Sequence, residues 1–294
     1  MAKKSEIFEN IQRLRRRYYA SFQNKQSLLD LLSETEVGEQ VYDSNAIENS
    51  TLTLGDTEKI LLQIDLDKYI SERELFEAKN LARVVDYINK KATQAELNLE
   101  IILLLHKMLL ANINDDFAGR WRQQDEWVRV GNHIAIAPEK IINKLHTMLA
   151  NYFATNNEHI IKRIALLHLQ FGQIHPFIDG NGRIGRVLNN YLLIRDGFVP
   201  INIKFIDKAD YYTAFSEFNE TGKTKAMEQI IGTALSNSYH KRLAYLEGKE
   251  IILLADYGKK YKISHSNLIN KAKRQTIEAF LEKGKWKIAD ENNQ

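Results

Sequence analysis

A loop of twelve residues, 175–186, constrains the fold of this 294-residue chain more than any other stretch. Apolar residues recur at helical spacing in the segment before it, 158–174, and in the segment after it, 183–196. Gly197 and Pro200 then predict where the second of these helices ends. The stretch between them is therefore a connection that leaves one helix and opens another.

The residues of this connection suit an anion, and most of all phosphate. The first N–H groups of a helix lack internal partners and carry partial positive charge. Gly180 and Gly182 let a ligand approach the backbone closely, and the forked donors of Arg183 and Arg186 match phosphate oxygens. Asp179 offers an oxygen ligand for the magnesium that accompanies nucleotide phosphates.

His175 completes the set, because a side chain that titrates near neutral pH is a natural general base. A plain surface turn beside two solvated arginines is the alternative interpretation. Against it, the stretch His-Pro-Phe-Ile-Asp-Gly-Asn-Gly-Arg-Ile-Gly-Arg resembles the signature of the Fic family at every specified position.

The resemblance implies a fold and an activity. Fic proteins are all-α helical bundles with a short β-hairpin flap, and most transfer AMP from ATP to a Tyr, Thr or Ser hydroxyl of a target protein or of themselves. It also implies roles for individual residues: deprotonation of the hydroxyl by His175, a Mg²⁺ or Mn²⁺ ligand in Asp179, an anion hole at Gly180, Asn181 and Gly182, and β- and γ-phosphate contacts from Arg183 and Arg186.

Three alternatives stay open at this point. The same site could remove AMP from a modified protein, or it could use another nucleotide or phosphocholine as donor. A third possibility is a DNA-binding regulator whose Fic core only senses nucleotide.

A second motif lies far upstream, at residues 44–49. Ser44 and Glu48 are four residues apart, so on a helix they share a face. Alone this is a weak pattern, but it resembles the inhibitory motif of Fic proteins. The resemblance implies that Glu48 pairs with Arg186 and occupies the place of the ATP γ-phosphate.

Residues 127–136 predict a β-hairpin. Val128, Val130, Ile134 and Ile136 alternate around Gly131-Asn132, which is a turn signal. The stretch resembles the Fic flap, which implies that a target protein docks on it by strand addition. It also implies ATP contacts from this stretch: Val128, Arg129, Val130 and Gly131.

Downstream of the motif, Tyr211, Tyr212 and Asn219 resemble the family positions around the adenine ring. An aromatic face and an amide suit a purine. The alternative is that both tyrosines only pack in the core.

The chain divides on this interpretation into three segments: 1–95 with the inhibitory motif, the Fic core 96–246, and a C-terminal helix-turn-helix or winged-helix-like module, 247–294. In the last segment, residues 263–269 and 274–280 predict two short helices and 285–288 a wing strand. Residues 240–294 hold twelve Lys/Arg and seven Asp/Glu, a balance of +5, so residues 263–288 are a candidate DNA contact. Dimerisation is the other use for such a module, and a homodimer is possible.

Composition narrows the remaining classes. Only three prolines favour long helices, and the absence of cysteine excludes disulfides and thiolate metal sites. We find no signal-peptide core and no apolar run long enough for a bilayer, so we expect a cytoplasmic protein without membrane contact. The net charge of +3 is too small to indicate nucleic-acid binding by the whole chain.

Overall fold

The computed structural model describes residues 2–131 and 133–290 of the chain, and most of them are helical. The prediction of a mainly helical protein with one short hairpin and a small C-terminal module is confirmed. The helices are α1 (Ala2–Ser21), α2 (Gln26–Ile47), α3 (Leu54–Leu61), α4 (Glu72–Lys91), α5 (Leu99–Leu110), α6 (Ile141–Ala154), α7 (Ile160–Ile174), α8 (Asn181–Arg195), α9 (Lys208–Thr221), α10 (Lys225–Leu246), α11 (Leu254–Lys260) and α12 (His265–Lys273).

The strands are short and antiparallel. They are β1 (Arg129–Val130), β2 (His133–Ile134), β3 (Glu250–Leu253), β4 (Ala279–Glu282) and β5 (Lys285–Asp290). Strands β1 and β2 form the hairpin predicted at 127–136, with Gly131 in the left-handed region at φ 57°. Asn132, which belongs to the predicted turn signal Gly131-Asn132, lies outside the described residues.

Contacts group the chain into two compact units. One is residues 37–228, and the other combines the residues up to 36 with those from 229 onward. Helices α2 and α10 each contribute to both units. This grouping does not test the three predicted segments 1–95, 96–246 and 247–294, which stay a prediction.

In the unit 37–228, helix α8 is the centre of the core. It packs on α7, α4 and α5, and α7 also packs on α6. Every residue of α8 from Arg183 to Leu193 is buried, so its first turn brings two arginines into the interior. Because buried charges need partners, the surrounding helices must supply them.

The helix boundaries follow their sequence signals. Thr53 and Asp56 form a capping box at α3, and Ser71 accepts a hydrogen bond from the Glu74 amide at the start of α4. Gly197 adopts φ 73° just after α8, which confirms the predicted stop. The two helices that flank the loop 175–186 are therefore where the spacing placed them.

The C-terminal part runs β3, α11, α12, β4, β5, and its sheet has the order β3-β5-β4. Helix α12 and strand β5 confirm the first predicted helix and the wing strand. The predicted helix at 274–280 is wrong, because Gln275 turns left-handed at φ 54° and ends α12. Ala279 and Phe280 then pair with β5, and both are fully buried.

Within residues 2–131 and 133–290, the structure contains no helix with the length and apolarity required to cross a membrane.

Candidate active site

The loop between α7 and α8 is held by its own side chains. His175 leaves α7 in the left-handed conformation, at φ 48° and ψ 62°. The Asn181 side chain accepts from the Phe177 amide at 2.9 Å and donates to the Phe177 carbonyl at 2.8 Å. Phe177 is fully buried and stacks on His106, with ring centroids 3.6 Å apart. The loop is thus fixed before any ligand arrives, and the part of Asn181 available to an anion is its backbone N–H.

The His175 ring is partly exposed, and its Nδ1 lies 3.4 Å from the Gly172 carbonyl. A carbonyl only accepts, so this contact places the proton on Nδ1 and leaves Nε2 as the basic atom. That arrangement agrees with the predicted role of His175 as a general base.

Arg122, which sequence reasoning missed, supports this histidine. Its guanidinium donates to the carbonyls of His175 (2.8 Å), Glu126 (2.9 Å) and Ile136 (2.8 Å), and its side chain also reaches the Ile174 carbonyl at 3.3 Å. Burial lowers the pKa of Arg122, whose exposure is only 3%. Arg122 therefore ties both ends of the hairpin segment to the loop. The sequence around Arg122 contains no pattern that indicates this role.

Gly180 and Gly182 lack side chains and leave room for a neighbouring group at the start of α8. Gly180 adopts φ 79° directly before the helix. A Cβ added at Gly182 would collide with the carboxylate of Glu48. Glu48 therefore lies against the first turn of α8, where the sequence predicts an anion.

Arg186 forms the ion pair with Glu48 that the resemblance implied. Its Nη2 donates to Glu48 Oε1 at 2.8 Å and to the Ser44 carbonyl at 2.9 Å, and its Nε donates to Ser44 Oγ at 2.9 Å. Burial would lower the pKa of Arg186, but Tyr211 and Glu48 raise it above its ordinary value. The arginine is permanently charged, and Ser44 in the last turn of α2 and Glu48 just after that helix supply most of its partners.

Tyr211 lies beneath Arg186 and not at an open face. Its hydroxyl accepts from Arg186 Nη1 at 3.2 Å and can donate to His168 Nε2, 2.8 Å away. Burial raises the pKa of Tyr211 to about 12. The ring is 2% exposed, so in this structure Tyr211 supports the arginine.

Tyr212 and Asn219 lie on the exposed side of α9. Tyr212 is 43% exposed and donates to the Ile47 carbonyl at 3.3 Å. Asn219 accepts from Gln173 Nε2 at 2.9 Å. Of the two tyrosines, Tyr212 is therefore the one whose ring could stack on adenine. Adenine contact at these positions stays a prediction.

Arg183 faces the other side of the loop, towards α4. Its guanidinium lies 3.1 Å from Glu77 Oε1 and 3.3 Å from Asp179 Oδ1, and its side chain is 3% exposed. The Nε atom is buried and finds no hydrogen-bond partner among residues 2–131 and 133–290. A buried donor without a partner is costly, so a ligand oxygen there would be stabilised.

Asp179 is held by a second arginine that sequence reasoning also missed. Arg73 Nη2 lies 2.5 Å from Asp179 Oδ2, and the Gly180 amide donates to Oδ1 at 2.6 Å. Burial would raise the pKa of Asp179, but Arg183, the Gly180 amide and Arg73 lower it. The only local sign was the i,i+4 pair of Arg73 with Glu77 on α4, and such pairs are common on helix surfaces.

A metal ion fits this site only together with phosphates. In the part of the chain that the structure describes, no cluster of three or more His, Asp and Glu side chains could hold a metal. Mg²⁺ at nucleotide sites needs only one or two carboxylates, because phosphates and water complete its shell. Asp179, an ionised carboxylate beside the anion site, meets that need once Arg73 moves aside.

The hairpin is tied back to the loop through Arg122. Its strands pair Arg129 with Ile134 and Val130 with His133, and the Ala135 amide donates to the Val128 carbonyl at 2.9 Å. The Arg129 side chain donates to the Gly131 carbonyl at 2.9 Å. ATP or target contacts from residues 127–136 stay a prediction.

Comparison with known proteins gives consistent results. Residues 96–193 match the model of the Fic/DOC family. The protein adenylyltransferase Fic of Nematostella vectensis is 34% identical over 185 residues, 62% of this chain and 43% of that protein. Its counterpart in Drosophila grimshawi is 31% identical over 239 residues, 74% of this chain and 48% of that protein. The chain thus spans less than half the length of these curated relatives.

Solved structures show the same fold. A Fic domain containing signaling protein from Bacteroides thetaiotaomicron superposes with a TM-score of 0.74 at 22% identity, covering 82% of this chain and 98% of that one. A fragment of Fic-1 from C. elegans superposes with a TM-score of 0.73 at 25% identity, covering 84% of this chain and 74% of that one. These likenesses confirm the predicted helical bundle.

Proposed function

Since this chain contains a domain of the Fic/DOC family at residues 96–193, we propose that it is an autoinhibited protein adenylyltransferase. It would move AMP from ATP to a Tyr, Thr or Ser hydroxyl of a target protein or of itself. The observation that carries the proposal is the place of the Glu48 carboxylate, paired with Arg186 and lying against Gly182 at the start of α8.

In the reaction we propose, His175 Nε2 takes the proton of the target hydroxyl. The oxygen attacks the α-phosphorus, the bond from that phosphorus to the bridging oxygen breaks, and pyrophosphate leaves. The amides that open α8 stabilise the growing negative charge together with Arg183 and Arg186. Asp179 would hold a Mg²⁺ or Mn²⁺ ion, which supplies positive charge on the phosphates when bound.

Autoinhibition follows from competition for one guanidinium. A γ-phosphate needs the Arg186 donors that Ser44 and Glu48 use in this structure. Two anions cannot both lie at these donors, because their charges repel at close range. ATP must therefore displace Glu48 or bind in a pose from which transfer does not occur.

The hairpin is the target-binding element of the proposal. An exposed strand edge holds an extended segment through backbone hydrogen bonds and leaves its side chains little restricted. Trp127 and Ile134 are 58% and 59% exposed, which gives such a segment apolar surface to pack on. Because Arg122 joins this hairpin to the His175 carbonyl, a bound segment would be held close to the base.

The test compares wild type with Glu48→Gly, using ATP labelled at the α-phosphate, with mass spectrometry of the products. We expect little label on wild type and at least about a tenfold increase for Glu48→Gly, and we expect His175→Ala in that background to lower the rate by about 100-fold or more. Glu34→Gly, the same change at an exposed position of α2, is the matched control. Equal labelling of wild type and Glu48→Gly would contradict autoinhibition, and no label on either protein or on candidate targets would contradict AMP transfer.

Removal of AMP is a second candidate function, favoured by one observation. Glu48 keeps 33% of its side chain exposed while it lies at the site, so one carboxylate oxygen can orient a water molecule. Release of AMP from a modified target by wild type, lost in Glu48→Gly, would support this reaction over transfer.

A further inference from the structure

We propose that the outward face of α12, with the turn of the β4–β5 hairpin, binds duplex DNA. This site belongs to the unit formed by the residues up to 36 and those from 229 onward, and it is independent of the transferase proposal. It also replaces the sequence-based hypothesis that residues 274–280 are the second helix of the module.

The arrangement of α11 and α12 is that of a helix-turn-helix. Only four residues, 261–264, connect them. A Cβ on Gly258 would lie 3.1 Å from both the Ile263 carbonyl oxygen and Leu268 Cδ1, so glycine lets the turn and α12 pack closely on α11. Strand β3 precedes the two helices and strands β4 and β5 follow them, and the three form an antiparallel sheet in which β4–β5 is a hairpin wing.

Helix α12 uses one face for packing and presents the other to solvent. Leu268 and Ala272, four residues apart, are buried in a core with Leu254, Ala279 and Ile288. The opposite face has helical spacing and is exposed, and its residues are Asn267, Asn270, Lys271, Lys273 and Arg274. Within the described part of the chain, these five side chains make no hydrogen bond or ion pair.

The chemistry of this face fits DNA better than a protein surface. Asn pairs with adenine and Arg with guanine in the major groove, while Lys binds phosphates. Protein interfaces instead centre on aromatic and aliphatic side chains with few charges. The Ser264, His265 and Ser266 side chains at the start of α12 are also exposed and polar, and in helix-turn-helix proteins this end reads base edges.

Ion pairs offset the acidic residues of the segment 254–290, and none of their cationic partners lies on the exposed face of α12. Each acidic residue of the segment 254–290 has a cationic partner: Asp256 with Lys259, Glu278 with Arg17, Glu282 with Lys241 and Lys287, and Asp290 with Lys260. The exposed face of α12 therefore carries positive charge with no opposing carboxylate on it, as phosphate binding requires.

The wing supplies a second point of contact. Lys283 and Gly284 have positive φ, at 49° and 72°, and form the tight turn of the β4–β5 hairpin. Lys283, Gly284 and Lys285 are all exposed. A narrow turn with two lysines suits the phosphates beside the groove that α12 enters.

The test measures binding of the full chain to a fluorescein-labelled duplex of random sequence, about 30 base pairs long, by anisotropy at about 50 to 200 mM salt. We expect binding that weakens steeply with salt. The double variant Lys271→Glu/Arg274→Glu should bind at least about tenfold more weakly and lower the slope of log K against log salt by about 2. The matched control is Lys140→Glu/Lys144→Glu, the same charge change at exposed positions on and before α6, and it should bind as wild type does.

Specificity is tested by selecting bound duplexes from the random pool. Asn267→Ala and Asn270→Ala should change the enriched sequence while the salt slope stays the same, because amides read bases and not phosphates. Failure of wild type to bind, or equal loss in the Lys140→Glu/Lys144→Glu control, would overturn the proposal. Circular dichroism of each variant separates loss of DNA contact from loss of fold. The ATP labelling of the Glu48→Gly protein tests the transferase proposal separately, because it does not depend on DNA binding.

Discussion

The two sides of the α7–α8 loop differ in which charge the protein places there. On the α2 side, the carboxylate of Glu48 lies on Arg186, where the proposal puts a phosphate. On the α4 side, the guanidinium of Arg73 lies on Asp179, where the proposal puts a metal ion. On that proposal, an internal anion would lie where a phosphate binds, and an internal cation would lie where the metal ion binds.

The two ion pairs differ in strength because they differ in exposure to water. Arg186 and Glu48 are 8% and 33% exposed, whereas Arg73 and Asp179 are 58% and 37% exposed. Water screens the exposed pair, so it contributes little, while the buried pair keeps its strength. On the proposed mechanism, Glu48 would therefore be the main obstacle to a nucleotide and Arg73 a minor one.

Both sides also have a buried histidine beneath them. His106 lies under the α4 side, with Nε2 3.0 Å from the Asp179 carbonyl oxygen, and His168 lies under the α2 side, hydrogen-bonded to Tyr211. Burial lowers the pKa of His106 to about 4 and that of His168 to about 3. Each side is therefore supported by a neutral imidazole that resists protonation.

The largest effect should come from Arg122, which joins the His175 end of the loop to the hairpin segment. Arg122→Ala leaves several buried carbonyls without a donor and should lower the free energy of unfolding by about 3 kcal/mol, measured in urea. Arg120→Ala, the control, removes an ion pair with Glu126 that is partly exposed and should cost less than about 1 kcal/mol. Equal losses in the two variants would show that Arg122 has no special role at the loop.

The two histidines should make stability fall as the pH is lowered. Their folded pKa values lie below the value of about 6.5 in the unfolded chain, so between about 6.5 and 4 only the unfolded chain binds the protons. Each histidine then lowers the free energy of unfolding by up to about 1.4 kcal/mol for each pH unit of acidification. His106→Gln and His168→Gln should each reduce the change in the free energy of unfolding between pH 5 and 6 by up to about 1.4 kcal/mol. The control is His146→Gln, at an exposed position of α6. A slope unchanged in both variants would contradict neutral histidines under the two sides.

The smallest effect belongs to Arg73, because its pair is the more exposed one. In a Glu48→Gly background, Arg73→Ala should lower the Mg²⁺ concentration needed for half-maximal binding of a non-hydrolysable ATP analogue by about fivefold, measured by calorimetry. Arg83→Ala, an exposed arginine on the same helix, should leave it unchanged. Weaker binding of the analogue in Arg73→Ala would instead make Arg73 a phosphate ligand.

The loop and its flanking helices could be predicted because their signals are local. Apolar spacing predicted α7 and α8, and Gly197 predicted the end of α8. The anion site that the chemistry of residues 175–186 indicates at the start of α8 stays a prediction. The Glu48–Arg186 pair joins residues far apart in sequence, and it was reached only through the resemblance to Fic proteins.

Other positions depended on long-range contacts, which spacing along the chain does not encode. Arg73 and Arg122 read as ordinary surface or turn arginines until the fold brings them to Asp179 and His175. Residues 274–280 read as a helix, yet pairing with β5 makes the last two of them part of strand β4. Short apolar runs suit either structure, so the partner strand decides between them. The chemistry and spacing of residues 175–186 predict the anion site, and the tertiary structure decided that Glu48 lies on Arg186 and Arg73 on Asp179.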